Sequence, residues 1–511
     1  MSTQYQNITE LLQARTEATP EKTFLFSQTD GREFTYAEFS KAVNRLAGLL
    51  SSVGIKKGDV VSLLLPNSVE YVIGYFACWH LGALAGPINS LLKAQETAYV
   101  ISNSEAKALL LNSEFVPVVE PLRDQLPLLS SVIVFDNEAE VTREYNTIET
   151  SPAGVAPDDE GIIIYTSGTT GKPKGCLLTH GNLIANARQI SHWLAFGAED
   201  RLLTMMPLFH MNAVSVTTMS ALYAGASSVV SPRFSVSLFW QIISDYKITS
   251  FGSVATMLSM LLSTFPDGVP DGLNTEQLRF AMCGSAPVPA ETIKRFEETF
   301  RCLVIEGYGL SESTCRSTFN PPDQRRRPGS CGMPIGNEMR VVDDEDNDVP
   351  DGSLGEIVLR GENILKGYYK NPDATAKAFR NGWFHTGDVG YRDADGFYFI
   401  VDRKSDMIIR GGENIYPREI DEVLYEHPGI AAAATIGIPD QLYGEEVTAF
   451  VVPKEGATVT PDEIIAHCRA SLADYKCPKT VHVVKEIPKG PTGKLLKREL
   501  ARLFTDQNKE W

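Results

Sequence analysis

The chain has 511 residues, which is too long for a single hydrophobic core and predicts two or more domains. Its composition, 43% hydrophobic and 22% charged, is that of a globular protein rather than a fibrous or disordered one. The formal net charge of −17 disfavours nucleic acid and anionic membrane as partners, so a polyanionic ligand would need a local pocket of Lys and Arg.

The opening residues, MSTQYQNITE, are polar and carry no secretory apolar region. Thr35 and Glu38 have capping-box spacing, and Val43, Leu46, Ala47 and Leu50 follow on one helical face. The most apolar stretch, 60–89, is broken by Pro66, Asn67, Glu70 and Pro87. It predicts a strand at 60–65, a helix over 69–81 and a strand at 84–88, not a membrane span. The same alternation recurs around 107–111, 132–135, 202–205, 228–230 and 302–305, which argues for α/β layers with largely parallel sheets. After Gly332 the texture changes. Short strands at 341–342, 356–359 and 397–401 are separated by turns such as Asp351-Gly352 and Asp395-Gly396, an antiparallel β section. From Ser405 onward a smaller α+β unit is expected, with a helix over 418–426, strands at 433–438 and 447–452, and a second helix opened by Thr460 and Glu463. The boundary falls at 402–406, where DRKSD lies between two apolar strands.

The eight Cys include no C-x-x-C pair and no zinc-type spacing with His. Cys78, Cys283 and Cys302 lie in apolar stretches, which predicts buried reduced thiols and a cytoplasmic location. The final Lys-Glu-Trp is not a peroxisomal tripeptide.

Residues 165–175 read YTSGTTGKPKG directly after the apolar run Ile162-Ile163-Ile164. A strand should end there in a loop of hydroxyls and free backbone N–H groups. Gly168, Gly171 and Gly175 allow successive N–H groups to face one anion, and Lys172 and Lys174 add charge. That is the chemistry of a triphosphate cradle. It is not a Walker A loop, because only two residues separate Gly168 from Gly171 and Pro173 follows Lys172. The plainer alternative, a flexible Ser/Thr/Gly linker, does not account for two Lys and a Pro after a buried strand.

Four further motifs follow in order: Gly307-Tyr308-Gly309-Leu310-Ser311-Glu312, Thr386-Gly387-Asp388, Asp402-Arg403 and Pro491-Thr492-Gly493-Lys494. Together with YTSGTTGKPKG they resemble the motif series of adenylate-forming enzymes, and the chain is similar to an acyl-CoA ligase of that superfamily from residue 8 to residue 500. The resemblance implies a large N-terminal domain of layered α/β sheets with a β-rich subdomain (1–402), a hinge (403–406) and a small mobile α+β C-terminal domain (407–511). It implies two steps. ATP and a carboxylic acid give an acyl-adenylate and pyrophosphate; the thiol of coenzyme A then displaces AMP.

The resemblance also implies residue roles. Thr166, Ser167, Gly168, Thr169, Thr170, Gly171, Lys172 and Lys174 would hold the β- and γ-phosphates. Glu312 would hold Mg2+ against them, and Ser311 would donate to the α-phosphate. Tyr308, in the Gly307–309 turn, would stack on adenine opposite Gly284, Ser285 and Ala286. Asp388 would accept the ribose hydroxyls, Arg403 would reach ribose or α-phosphate, and Lys494 would be the catalytic lysine of adenylation. Taken alone, Glu312 could be a solvated acid, Asp388 a turn residue and Lys494 exposed surface. After rotation of the small domain, Gly411 and Gly412 would line the pantetheine tunnel. Ser405 stands at the hinge position, where relatives often carry Asp or Lys.

His210 matches an aromatic gate between ATP and acid, or else is a core histidine. Val214, Val254, Met257, Met282, Gly284, Gly309, Cys315 and Thr318 are expected to wall the acyl pocket. Arg316 departs from the small neutral residues usual there. Turned inward it implies a substrate with a second anionic group; turned outward, the ordinary behaviour of Arg, it contacts solvent or a coenzyme A phosphate. The acid is otherwise open among small or medium, aromatic and carnitine-like types, and dimers are common in the family, so a homodimer is an option. The competing readings are an adenylating enzyme that loads a carrier protein and a non-catalytic nucleotide-binding relative.

Overall fold

The computed structural model describes residues 5–137, 150–166, 173–284, 288, 290–490 and 495–507. Two seven-stranded sheets dominate the N-terminal part. The first runs Leu303–Glu306, Phe280–Cys283, Ser250–Ser253, Arg201–Thr204, Ser227–Val230, Thr23–Ser27 and Glu33–Thr35, parallel throughout except at the last strand. The second runs Gly367–Tyr368, Lys174–Thr179, Glu160–Thr166, Leu84–Pro87, Val60–Leu64, Ala108–Leu111 and Ser131–Val134. The central strands of both are largely buried, Phe280–Cys283, Leu84–Pro87 and Ala108–Leu111 wholly apolar and the others interspersed with Ser, Thr or Gly, as strands covered on both faces tend to be.

The predicted strand–helix–strand over 60–89 is present as Val60–Leu64, Val69–His80 and Leu84–Pro87. All twelve residues of that helix are buried, because it contacts strands of both large sheets and has no solvent face. Among the described residues no helix is long and apolar enough to cross a membrane. Thr35 and Glu38 form the predicted capping box of helix Tyr36–Ser52.

One detail of the second sheet differs from simple parallel alternation. Glu160–Thr166 and Lys174–Thr179 are antiparallel, so the glycine- and hydroxyl-rich run joins the arms of a hairpin rather than a strand to a helix. Its central residues, 167–172, lie outside the described residues.

The antiparallel β section is a sheet of Glu338–Val342, Gly355–Arg360, Trp383–Arg392 and Phe379–Arg380, with Tyr398–Arg403 on the long strand Trp383–Arg392. Beyond it the smaller C-terminal domain folds on its own cores. Ile408–Arg410, Glu413–Ile415, Gly444–Pro453, Ile430–Asp440 and Thr480–Val483 form its sheet, and helices Pro417–Glu426 and Pro461–Ser471 pack with it. Seven of the eight Cys are buried, Cys331 is partly so, and all are free thiols.

Candidate functional site

In an open parallel sheet, the crevice beyond the carboxyl ends of the strands collects loops that can hold a ligand. Four adjacent strands of the first sheet deliver the predicted residues there. Leu303–Glu306 leads into Gly307, Phe280–Cys283 into Gly284, Ser250–Ser253 into Val254, and Arg201–Thr204 into the segment ending at His210.

The run 307–309 is clamped from behind. The Gly307 amide donates to the Cys283 carbonyl at 2.9 Å, and the Tyr308 amide donates to Thr318 Oγ1 at 3.1 Å. The amides of Ser317 and Thr318 both donate to the Tyr308 carbonyl, at 2.8 and 3.1 Å. This close approach requires the two glycines. A Cβ on Gly307 would lie 2.5 Å from the Phe319 ring, and one on Gly309 would fall on the Cys315 carbonyl. Thr318, expected in the acyl wall, has its hydroxyl engaged in bracing Tyr308 and bonding the Cys331 carbonyl.

The Tyr308 phenol donates to Asp388 Oδ2 at 2.5 Å, and Arg403 Nε pairs with Asp388 Oδ1 at 3.2 Å. Asp388 and Arg403 are opposite residues in the antiparallel register, so the β section itself sets them side by side. Asp388 is 3% exposed. Burial, followed by the Asp388 charge, pushes the Tyr308 phenol well above its ordinary value. Burial opposes the charge on Arg403, yet the carboxylates around it, Asp388 first, raise its pKa; Tyr308 and Glu312 lie in the same field.

Glu312 sits in the short turn Ser311–Ser313. Its Oε1 accepts from the Tyr368 phenol at 3.1 Å, and its carbonyl accepts from the Leu365 amide at 2.7 Å. Lys174 Nζ lies 5.3 Å from the centroid of the Tyr368 ring, and Thr166 Oγ1 lies 3.7 Å from Cys176 Sγ. Burial, followed by the Glu312 carboxylate, holds the Cys176 thiol well above its ordinary range. Both ends of the 166–174 hairpin, Glu312 and the Asp388–Arg403 pair therefore share one locality. Among the described residues no group of three or more His, Cys, Asp or Glu could cage a metal. A single partly exposed carboxylate suits Mg2+, which keeps water and phosphate oxygens as its other ligands.

Directly after Glu312 the backbone is strained. Thr314 has φ +65° and is fully buried, and the Cys315 amide reaches back to the Ser313 carbonyl at 2.7 Å in a γ-turn. A β-branched residue at positive φ costs about 1–3 kcal/mol and persists only where its surroundings over-determine it. Here Thr314 Oγ1 donates to the Asn363 carbonyl at 2.7 Å. The turn sends Arg316 inward. The outward placement ordinary for Arg is thus corrected: Arg316 is 1% exposed. Its backbone is held by the Asn186 and Asn363 side chains, and its guanidinium fills the space over Gly284 that a Cβ would occupy.

His210 has its Nε2 buried without a hydrogen-bond partner, and burial pushes its imidazole down to about 4, so the ring is neutral at pH 7. Val214, Val254, Met257, Met282 and Cys315 are all buried on or beside this crevice.

A sequence profile described as AMP-binding enzyme matches residues 12–369, and a second, AMP-binding enzyme C-terminal domain, matches residues 419–494. The chain belongs to the AMP-binding enzyme family. The sulfoacetate–CoA ligase of Cupriavidus necator is 36% identical over 505 residues, covering 97% of each chain. An anthranilate CoA ligase, AuaEII, solved with anthranoyl-AMP, superposes with a TM-score of 0.90 at 30% identity, covering 98% of this chain and 97% of that one. The o-succinylbenzoate coenzyme A synthetase of Bacillus subtilis, solved with ATP and magnesium ion, gives 0.85 at 31% identity over 96% and 98%. The large N-terminal domain and smaller C-terminal domain are those of the adenylate-forming superfamily, and the protein is an enzyme of its AMP-forming CoA ligase branch. The relatives differ in the acid they are named for.

Of the residues expected at the site of this AMP-binding enzyme, Ser167 to Lys172, Ser285, Ala286 and Lys494 lie outside the described residues. Ser311 is partly exposed beside Glu312. Gly411 and Gly412 occupy an exposed turn between Ile408–Arg410 and Glu413–Ile415, with φ +61° and +92°. Ser405 lies in the turn after Arg403.

Several positioning residues escaped the sequence reading. Asn67 donates to the Met206 carbonyl at 2.7 Å and accepts from the Leu208 amide at 2.7 Å, so it fixes the segment that carries His210. The Tyr75 phenol adds a bond to the Leu208 carbonyl at 2.7 Å. Residues Asn212–Met219 form a π-helix, a rare element often found at functional sites. The only sequence signal for Tyr368 is an aromatic pair shortly before Pro372.

Proposed function

We propose that this protein is an ATP-dependent acid–CoA ligase that joins a carboxylic acid to AMP, releasing pyrophosphate, and then to coenzyme A, releasing AMP. The observation that carries this is the Tyr308–Asp388–Arg403 contact beside Glu312. It supplies a carboxylate for ribose, an aromatic wall for adenine and a cation near the α-phosphate in one locality.

A carboxylate approaching ATP meets like-charge repulsion, so the site must offer cations and donors before the bond forms. Lys174, at the end of the hairpin, and the glycine-rich run before it suit the β- and γ-phosphates. Ser311 suits the α-phosphate. Glu312, oriented by Tyr368, suits one coordination position of Mg2+, which supplies charge neutralisation on the phosphates when bound. In this reading Lys494 of the small domain bridges the acid and the α-phosphate. His210, neutral and buried, closes the acid from the nucleotide.

The division into an N-terminal domain (1–402), a hinge (403–406) with Ser405 at its centre and a C-terminal domain (407–511) belongs to the same proposal. The exposed Gly411–Gly412 turn would then swing in to accept the pantetheine arm. Relatives named for sulfoacetate, anthranilate and o-succinylbenzoate support a small or aromatic acid as the substrate in this reading.

The test is incubation of the full chain with ATP, Mg2+ and a panel of acids, with and without coenzyme A. CoA-dependent AMP release with a thioester detected by mass spectrometry is the expected result. Adenylate that accumulates despite coenzyme A would instead favour a carrier-protein-loading enzyme.

A further inference from the structure

Among the described residues, three side chains in the acid crevice carry buried polar atoms without hydrogen-bond partners. The Arg316 guanidinium keeps a single hydrogen bond, Nη1 to the Gly307 carbonyl at 3.4 Å, while Nε and Nη2 are buried with none. Asn212 is buried with neither amide atom bonded, and His210 Nε2 is likewise open.

These groups lie on one face. Gly252 and Met282 are register partners in adjacent parallel strands, so their side-chain directions coincide, and Gly284, two residues on, points the same way. A Cβ on Gly252 would lie 2.8 Å from Asn212 Oδ1, and one on Gly284 would lie 2.5 Å from Arg316 Nη1 and 2.7 Å from Nη2. Asn212 and Arg316 therefore stand over neighbouring strand ends on the same side, with Met282 between them.

An arginine cannot shed its charge on burial, and an uncompensated buried charge is costly. No carboxylate pairs with Arg316 among the described residues. Glu306, a buried acid opposite Cys283 at the neighbouring strand end, accepts from the Gly329 amide at 2.9 Å, and burial raises its carboxyl to about 8, so it offers little negative charge at pH 7. The Phe319 ring, 5.3 Å from the guanidinium carbon, gives the cation partial support but no directed acceptor. Two free N–H directions on a buried guanidinium match one oxyanion held in a fork.

We infer that Arg316, assisted by Asn212, is the subsite for a second oxyanion on the substrate, so that the acid is a short dicarboxylate or sulfocarboxylate. This rests on the ligase reading and names the substrate class for it. The acid is short because Arg316 bonds the carbonyl of Gly307, the residue immediately before Tyr308, whose phenol reaches Asp388. Little chain fits between the second anion and the reacting carboxylate. A monoacid of the same length leaves the guanidinium buried and unpaired, which is how a site built around a polar contact rejects the analogue that lacks it.

The experiment compares thioester formation by the full-length wild type with acids matched in length: malonate and sulfoacetate against propionate, succinate and 3-sulfopropionate against butyrate. The dianion of each set should show kcat/KM about 100-fold above its monoacid. Arg316→Met should lower the dianion and raise the monoacid, and gain on the monoacid certifies that the variant is folded. Arg316→Lys should keep part of the dianion preference. The carboxylate and sulfonate arms identify which oxyanion the subsite takes. Equal use of monoacid and dianion by the wild type, or an equal loss on both in Arg316→Met, overturns the inference and leaves the ligase reading standing. If no acid of this set or of the wider panel yields a thioester, the ligase reading fails. Calorimetric binding of succinate against butyrate, to wild type and Arg316→Met, then decides the subsite alone. Binding of succinate by wild type only sustains it, and any other pattern overturns it.

Discussion

The phenol of Tyr308 and the carboxylate of Asp388, 80 residues apart in sequence, meet in a hydrogen bond of 2.5 Å. The first belongs to a glycine-flanked turn at the end of a parallel sheet and the second to an antiparallel strand, so the bond ties two sheets together at the point where the nucleotide is proposed to lie. Asp388 also faces Arg403. Asp388→Ala removes an acceptor that both neighbours use and that ribose would use. Charged hydrogen bonds are worth about 1.5–3 kcal/mol each, so KM for ATP should rise roughly 10- to 100-fold. Steady-state kinetics against ATP checks this, and an unchanged KM would remove Asp388 from the nucleotide site.

Tyr368 acts on Glu312 through one hydrogen bond of 3.1 Å. Tyr368→Phe frees the carboxylate without removing it, and a loss of about 1 kcal/mol in its positioning predicts a fall of roughly five- to tenfold in adenylation. Glu312→Gln should fall much further and require more Mg2+ for half-maximal rate. The Mg2+ titration of pyrophosphate exchange separates the two variants from a general loss of fold.

The sequence made legible those features that depend on local chemistry. The capping boxes at Thr35 and Thr460, the buried strand–helix–strand over 60–89 and the separate α+β unit after Ser405 all follow from short-range pattern. Register and inward turns were not legible. The pairing of Asp388 with Arg403 requires knowing which residues of two antiparallel strands oppose, and strand bulges shift that count. Arg316 reads as surface because composition cannot reveal that a strained Thr314 directs it into the crevice. Asn67 reads as a breaker of an apolar stretch, yet its amide spans two segments brought near only by the stacked sheets.

Three buried groups give opposing pH dependences of stability. His180 and His210 are each pushed down to about 4 by burial, against an ordinary value of 6.5. The unfolded chain therefore binds more protons than the folded one between those values. Their contribution is present above pH 6.5 and lost as pH falls towards 4, by about 3 kcal/mol each at most. Burial raises Glu306 to about 8 from 4.5, so its contribution is complete below 4.5 and is lost as pH rises through 8. Thermal unfolding should show a maximum in the mildly acidic to neutral range. Glu306→Gln should flatten the descent towards pH 8 and steepen the rise below pH 6.5, while His210→Phe should reduce the acid slope. A profile that Glu306→Gln leaves unaltered would contradict the burial assigned to that carboxyl.

Gly309 is predicted to be intolerant of any side chain. A Cβ there would fall on the Cys315 carbonyl, which belongs to backbone already fixed by the γ-turn at Thr314. Overpacking of this kind costs about 1–3 kcal/mol or more, and the backbone shift would displace Arg316 as well. Gly309→Ala should lower the melting temperature by several degrees and weaken acid binding. By contrast Gly412→Ala meets no atom within 4 Å, so its cost is that of its positive φ alone, about 1–2 kcal/mol, and the melting temperature should fall less than in Gly309→Ala. Differential scanning calorimetry of the two variants compares a steric demand with a conformational one.

Ser405 gives the most direct test of the proposed domain movement. It lies between Arg403, which pairs with Asp388, and the first strand of the C-terminal domain, Ile408–Arg410. The neighbouring Lys404 amide donates to the Gly387 carbonyl at 2.9 Å, and the Asp406 amide to the Arg403 carbonyl at 3.0 Å, while the Ser405 side chain bonds only Asp406 Oδ1 at 2.9 Å among the described residues. Proline at 405 would keep those flanking backbone bonds but fix φ near −65° and restrict Lys404 as well, removing the freedom a pivot needs. Each half-reaction can be read separately. In Ser405→Pro, ATP–pyrophosphate exchange with the acid, or in the opposite case thioester formation from supplied acyl-adenylate and coenzyme A, should persist near the wild-type rate. The other half-reaction should fall by an order of magnitude or more, and the overall turnover with it. Equal retention of both would show that no swing about residues 403–406 is needed, and equal loss of both with a lowered melting temperature would mark Ser405 as a folding residue.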